Sequence, residues 1–174
     1  MTTISSEMRA TIHERLKQAP SQMTMQLARE LDVPEVEIVR NLPDRRSVEL
    51  DIERWQEILE EFPALGKVHV IVTNGAATLE SIGEFGQFST WGEFFNVQTK
   101  SLDMHIRFPN LGAICAVEKP GHMTGINTLS FQFYDKQGQA AFKVFLTFGN
   151  HLPSEDVQRR FDTIRTKYRS VPGA

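Results

Sequence analysis

The chain has 174 residues, 40% of them hydrophobic and 24% charged. That length and balance fit one compact domain, or one domain with a small appendage, and exclude a disordered chain. The formal net charge is -3, so the chain as a whole has no electrostatic reason to seek nucleic acid or an anionic membrane.

A single cysteine, Cys115, excludes an internal disulfide. Within the apolar run LGAICAV it reads as a small buried hydrophobe, because no basic group flanks it. The polar start has no signal-peptide core. No run reaches the ~20 apolar residues of a membrane span. The expectation is a soluble, cytoplasmic protein without membrane insertion.

Met8, Ile12 and Leu16 recur every four residues and predict a helix over 5–18. SQMTMQLARELDV predicts a second helix from about Ser21, with Met23, Leu27 and Leu31 as its apolar stripe. PEVEIVRNL is a short third helix with Pro34 at a favoured first position, stopped by Pro43. LDIERWQEILEEF predicts a fourth, with Asp51 as N-cap and Pro63 beyond its end.

From Lys67 the pattern changes to alternation. KVHVIVT and ATLESI flank Asn74-Gly75, a hairpin signal. EFFNVQT and LDMHIRF follow, then GAICAVE after the Pro109-Asn110 turn. TLSFQFYD and QAAFKVFLTF are joined by the turn DKQG. Short links between about seven strands imply an antiparallel meander. The last helix, SEDVQRRFDTIRTKYR, has Ser154 as its cap and Val157, Phe161, Ile164 and Tyr168 as its buried stripe. The fold class is α+β: N-terminal helices, an antiparallel meander sheet and a C-terminal helix. Residues 1–46 form the helical part and 47–174 the sheet domain with its flanking helices, together one structural unit.

Two features invite a functional reading. The first is MTMQLARELDVPEVEIVRNL, two short helices that resemble a helix-turn-helix. Its second helix offers Glu35 and Glu37 against Arg40, with Arg45 and Arg46 beyond, so phosphate repulsion opposes DNA binding and a helical cap over the sheet is the plainer reading.

The second is the set of five histidines. They are scattered, with no HExxH or Cys/His spacing of a zinc site. His13 and His151 read as solvated. His69 lies opposite the Val68, Val70 and Val72 face of its strand, and His122 sits in the loop EKPGHMTG. In SLDMHIRF, Leu102, Met104, Ile106 and Phe108 share one face, which places Asp103, His105 and Arg107 on the other. His105 therefore looks into water or into a pocket. Arg107 lies two residues on, about 7 Å away along the backbone. An imidazole can bind iron and a guanidinium can hold a carboxylate, although on the residues alone a solvated polar face is the plainer reading of the pair. No GxSxG, P-loop or GxGxxG marks an enzyme.

EIVRNLP at 37–43, Trp55, FFNV at 94–97, HIR at 105–107 and DKQGQAAFKVFL at 135–146, in this order, resemble the cytosolic heme-utilization carriers of the HutX/ChuX type. The likeness spans roughly residues 20–150. It implies a homodimer with a split-barrel-like platform and heme as cofactor. It implies a carrier that meets an importer and a heme-storing or heme-degrading protein only transiently, with no nucleic-acid partner. The family's iron-binding histidine maps onto His105. A second functional histidine of some members falls at Thr73, which puts two-histidine ligation in doubt. His69 lies about 13 Å from that position along the strand, and His122 is the alternative on its loop. Arg107 and Lys100 are then candidates to meet the propionates, and Phe94, Phe95, Met104 and Met123 to line the porphyrin. The alternatives are a helix-turn-helix regulator and a heme-degrading enzyme.

Overall fold

The computed structural model describes residues 4–122, 126–148 and 151–171, the Arg45 side chain excepted. Helix α1 spans Ser6–Gln18, with the Ser5 hydroxyl accepting from the Met8 N–H and with Ile12 and Leu16 buried. Helix α2 spans Thr24–Leu31 and stops where Asp32 turns left-handed at φ 52°. Helix α3 spans Glu35–Arg40. Every residue of α3 before Arg40 is buried, including Glu35 and Glu37, and Arg40 bonds Glu37 and Glu49. A recognition helix must present its side chains to a groove, so the helix-turn-helix reading is overturned: these two helices are a cap.

Strand β1, Ser47–Leu50, occupies a segment whose end was expected to open a helix. It pairs with Ile114–Val117, and that long-range pairing overrides the local pattern. Asp51 does act as a cap, accepting from the Glu53 N–H at the start of a 3-10 turn that leads into α4, Trp55–Glu60.

The remaining strands are β2 Lys67–Thr73, β3 Thr78–Glu84, β4 Phe88–Trp91, β5 Phe94–Gln98, β6 Asp103–Arg107, β7 Leu111–Pro120, β8 Asn127–Asp135 and β9 Ala140–Phe145. All pairings are antiparallel, as expected. They do not form one meander. Six strands order as β1-β7-β8-β9-β2-β3, and β4-β5-β6 make a separate sheet. The sequence reading missed β1 and β4, four residues each and too short to show alternation. Helix α5, Glu155–Lys167, closes the chain, with the Ser154 hydroxyl accepting from the Val157 N–H.

The large sheet contributes to a core on each face, and its β3 edge stays largely exposed. One face gives Val68, Val70, Phe131, Phe133 and Val144 to the main core, against Ile58, Phe62 and Phe161 of the helical elements and Phe95, Val97 and Ile106 of the small sheet. The other face gives Ala113, Cys115, Val117 and Tyr134 to a second core under α1, α2 and α3. The helices cover only this end. Further along, toward β9, β2 and β3, the same face stays open.

Candidate functional site

Two surfaces gather the polar side chains singled out above, and the main core lies between them. The first is the outer face of the small sheet. Along β6, Ile106 is buried and Met104 half-buried, while Asp103, His105 and Arg107 are exposed, as the alternation predicts. The His105 side chain is 57% exposed.

Strand register places Ser89, Asn96 and His105 in one row across β4, β5 and β6. Their side chains bond in series. The Ser89 hydroxyl donates to Gln98 Oε1 at 3.4 Å, Asn96 Nδ2 donates to Ser89 Oγ at 3.1 Å, and His105 Nδ1 meets Asn96 Oδ1 at 2.6 Å. Because the Asn96 amide nitrogen is used on Ser89, its oxygen faces the imidazole and must accept. Nδ1 therefore carries the proton, and the Nε2 lone pair points outward. A carbonyl-type acceptor behind a histidine fixes ring and tautomer in the way metal-binding histidines need. Asp103 Oδ1 lies 3.7 Å from Nε2, so a protonated ring has a counter-charge at hand.

The adjacent row holds Trp91, Phe94 and Arg107. Trp91 is 76% exposed and Phe94 half-buried, so an apolar strip runs beside the imidazole. Arg107 gives two hydrogen bonds to Glu93, at 3.0 and 2.6 Å. It is already paired, so a propionate would have to compete with Glu93. Lys100 is exposed in the bend between β5 and β6. Phe95 and Met104 pack on the main core and cannot line a ligand on this face. Met123 lies outside the described residues.

The second surface is the open part of the large sheet, a groove of about 450 Å³. Its walls come from the start of α2, from β2, β3, β8 and β9, and from the end of β7. His69, Thr73 and His122 all line it, and His105 does not. Within one chain, then, these residues do not share a site with His105. His69 Nε2 meets Glu80 Oε2 at 3.0 Å, with the Phe145 and Phe148 rings each 6.4 Å away. The Thr73 hydroxyl donates to the Ala77 carbonyl and so holds the Asn74-Gly75 turn, where Gly75 adopts φ 88°. His122 is exposed at the groove's rim. A further hollow of about 570 Å³ between α2 and that turn is lined by Arg29, Asp32 and Asn74, with Thr73 its one residue shared with the sequence candidates.

The groove's cations were not foreseen. Lys143 Nζ bonds Glu35 Oε1 at 2.5 Å, and Thr24 donates to the same carboxylate at 2.6 Å. Lys119 is 9% exposed and bonds the Pro120 carbonyl at 3.0 Å. Burial, with Lys143 and Arg46 adding repulsion, pulls its pKa down to about 8. The one legible sign was Lys143 inside AAFKVF, a lysine in an otherwise apolar strand. Among the described residues no three or more His, Cys, Asp or Glu side chains cluster as a metal site.

Residues 48–164 match the family described as haem utilisation ChuX/HutX. The chain belongs to the haem-utilisation ChuX/HutX family. Within the family's reach, the intracellular heme transport protein HutX of Vibrio cholerae serotype O1 is 28% identical over 137 residues, covering 78% of this chain and 70% of that protein. The solved structure of the heme binding protein ChuX is 26% identical at a TM-score of 0.77 and covers 90% of this chain and 97% of its own. A crystal structure from Erwinia carotovora, 21% identical, superposes at a TM-score of 0.83 over 96% of this chain and 100% of its own, which shows the shared fold. The ChuX/HutX match begins at Val48, after the three helices of the cap.

Proposed function

We propose that this chain is an intracellular heme carrier that takes heme through the Nε2 atom of His105 and passes it on without breaking it down. The observation that carries the reading is the ordered row behind His105. Ser89 and Asn96 hold the imidazole in the tautomer that leaves Nε2 free, on an exposed face with Trp91 and Phe94 beside it. The names of the relatives, a heme transport protein and a heme binding protein, support the same cargo.

Most of the affinity would come from removing porphyrin and Trp91 surface from water, at roughly 25 cal/mol per Å². The imidazole would set orientation. An exposed single ligand suits transfer, since fewer bonds must break on hand-over. Arg107 and Lys100 would meet propionates at the edge, each a small, salt-screened contribution. On this reading the chain works as a homodimer and meets an importer and a heme-storing or heme-degrading protein transiently.

Hemin titrated into the apoprotein tests this. A Soret band that shifts on binding and is lost or moved in His105→Ala, with the melting temperature unchanged, supports it. Steady loss of the Soret band when a reductant is added would instead mean turnover, and the carrier reading would give way to a degrading enzyme.

A further inference from the structure

We propose that Lys119 is a chemical modification site, whose side-chain nitrogen takes the acyl group of a small acyl phosphate. The proposal is independent of heme and of the His105 face.

The placement of Lys119 points to it. Alternation along β7 sets this residue on the face of Cys115 and Val117, four and two residues earlier, at the margin of the second core. Its Nζ donates to a single neutral acceptor, the Pro120 carbonyl at 3.0 Å. Among the described residues no carboxylate lies within ion-pair distance of it. Its charged neighbours, Lys143 and Arg46, share its sign. Lys143 differs, because Glu35 holds it as an ammonium.

A buried ammonium with no anion is costly, so burial and repulsion favour the free amine. With a pKa of about 8, roughly a quarter of Lys119 is free amine near pH 7.5, against about 0.1% of an ordinary lysine. A weaker base is a weaker nucleophile, by about tenfold on the slope known for thiolates, and the net gain is still roughly tenfold. Reach comes from the groove, which Lys119 lines beside Thr128 and Lys143, and which is exposed at its His122 rim. The positive charge of Arg46 and Lys143 draws an anionic reagent toward the amine, which selects a phosphate leaving group over a neutral ester.

In the step itself the free amine attacks the acyl carbon. A carbon–nitrogen bond forms, the bond from that carbon to the phosphate oxygen breaks, and phosphate leaves with the electron pair. The amine gives one proton to solvent. The resulting amide is uncharged and retains an N–H for the Pro120 carbonyl, so the buried charge is gone.

The test incubates the intact protein with acetyl phosphate near pH 7.5 and follows acetylation at each lysine by peptide mass mapping over time. Lys119 is expected to react about tenfold faster than the exposed Lys67 and Lys100, with Lys143 slower than Lys119. With p-nitrophenyl acetate, a neutral reagent, the preference for Lys119 should be smaller. By intact mass, Lys119→Arg should lose the fast phase and keep the slow one. Lys119 reacting no faster than Lys67 and Lys100, or only once the protein is denatured, overturns the proposal. An equal preference with both reagents overturns the acyl phosphate as the class. None of these results bears on hemin binding at His105.

Discussion

His105 Nδ1 and Asn96 Oδ1 lie 2.6 Å apart across neighbouring strands, and this contact decides which ring nitrogen is free. The Asn96 amide is itself fixed by Ser89, so the orientation is set two residues deep. Asn96→Leu removes the acceptor and leaves the ring free to turn. Loss of such a supporting partner typically costs about 10- to 100-fold in metal affinity. Hemin affinity of Asn96→Leu is expected to fall about tenfold, read by Soret titration. An affinity equal to wild type would show that the contact does not prepare His105.

Glu35 is 2% exposed and joins α3 to β9 through Lys143, with Thr24 of α2 on the same carboxylate. Glu35→Ala leaves Lys143 unpaired beside Lys119. Removing one partner of a buried pair costs about 3 kcal/mol. Urea unfolding should show a loss of that order, with the cap helices loosening first in hydrogen exchange.

Lys119 also makes a pH signature. Its folded pKa of about 8 lies below the ordinary lysine value of 10.5. Below pH 8 the ammonium is charged in both states, and the folded state carries the full burial penalty. Between pH 8 and 10.5 the unfolded chain holds a proton that the folded chain has released, so stability rises with pH across that window. The penalty is at most about 3 kcal/mol, from 1.36 kcal/mol per pKa unit. Lys119→Met should therefore melt above wild type at pH 7, and the gap should close toward pH 10. A variant that melts lower at pH 7 would mean the ammonium is stabilising as it stands.

Cys115 is fully buried in the second core, and burial, followed by the Glu49 carboxylate, pushes its thiol up to about 12. Thiolates are the reactive form, so the native protein should resist a disulfide reagent at pH 8 and react at once in denaturant. Fast native labelling would mean that the cap over β7 opens readily.

What could be read from the sequence was whatever rests on local spacing. The Met104/His105/Ile106/Arg107 alternation gave the exposure of the imidazole correctly. Ser5, Asp51 and Ser154 cap as their chemistry suggests. The sheet order was hidden, because β1 finds β7 and β2 finds β9 far along the chain. The groove was hidden for the same reason: its walls meet only when α2, β2, β8 and β9 are side by side. Nothing local in EKPG says that the strand face carrying Lys119 is covered. His69 and His122 were separable from His105 only once the two sheets were placed.

The central claim is that the exposed Nε2 of His105 holds the iron. Its most direct test is hemin titration of wild type and His105→Ala, followed at the Soret band with melting temperatures in parallel. The account predicts a shifted band and tight binding in wild type, and an altered band with affinity lower by about tenfold or more in the folded variant. Identical spectra and affinities in the two proteins would contradict it.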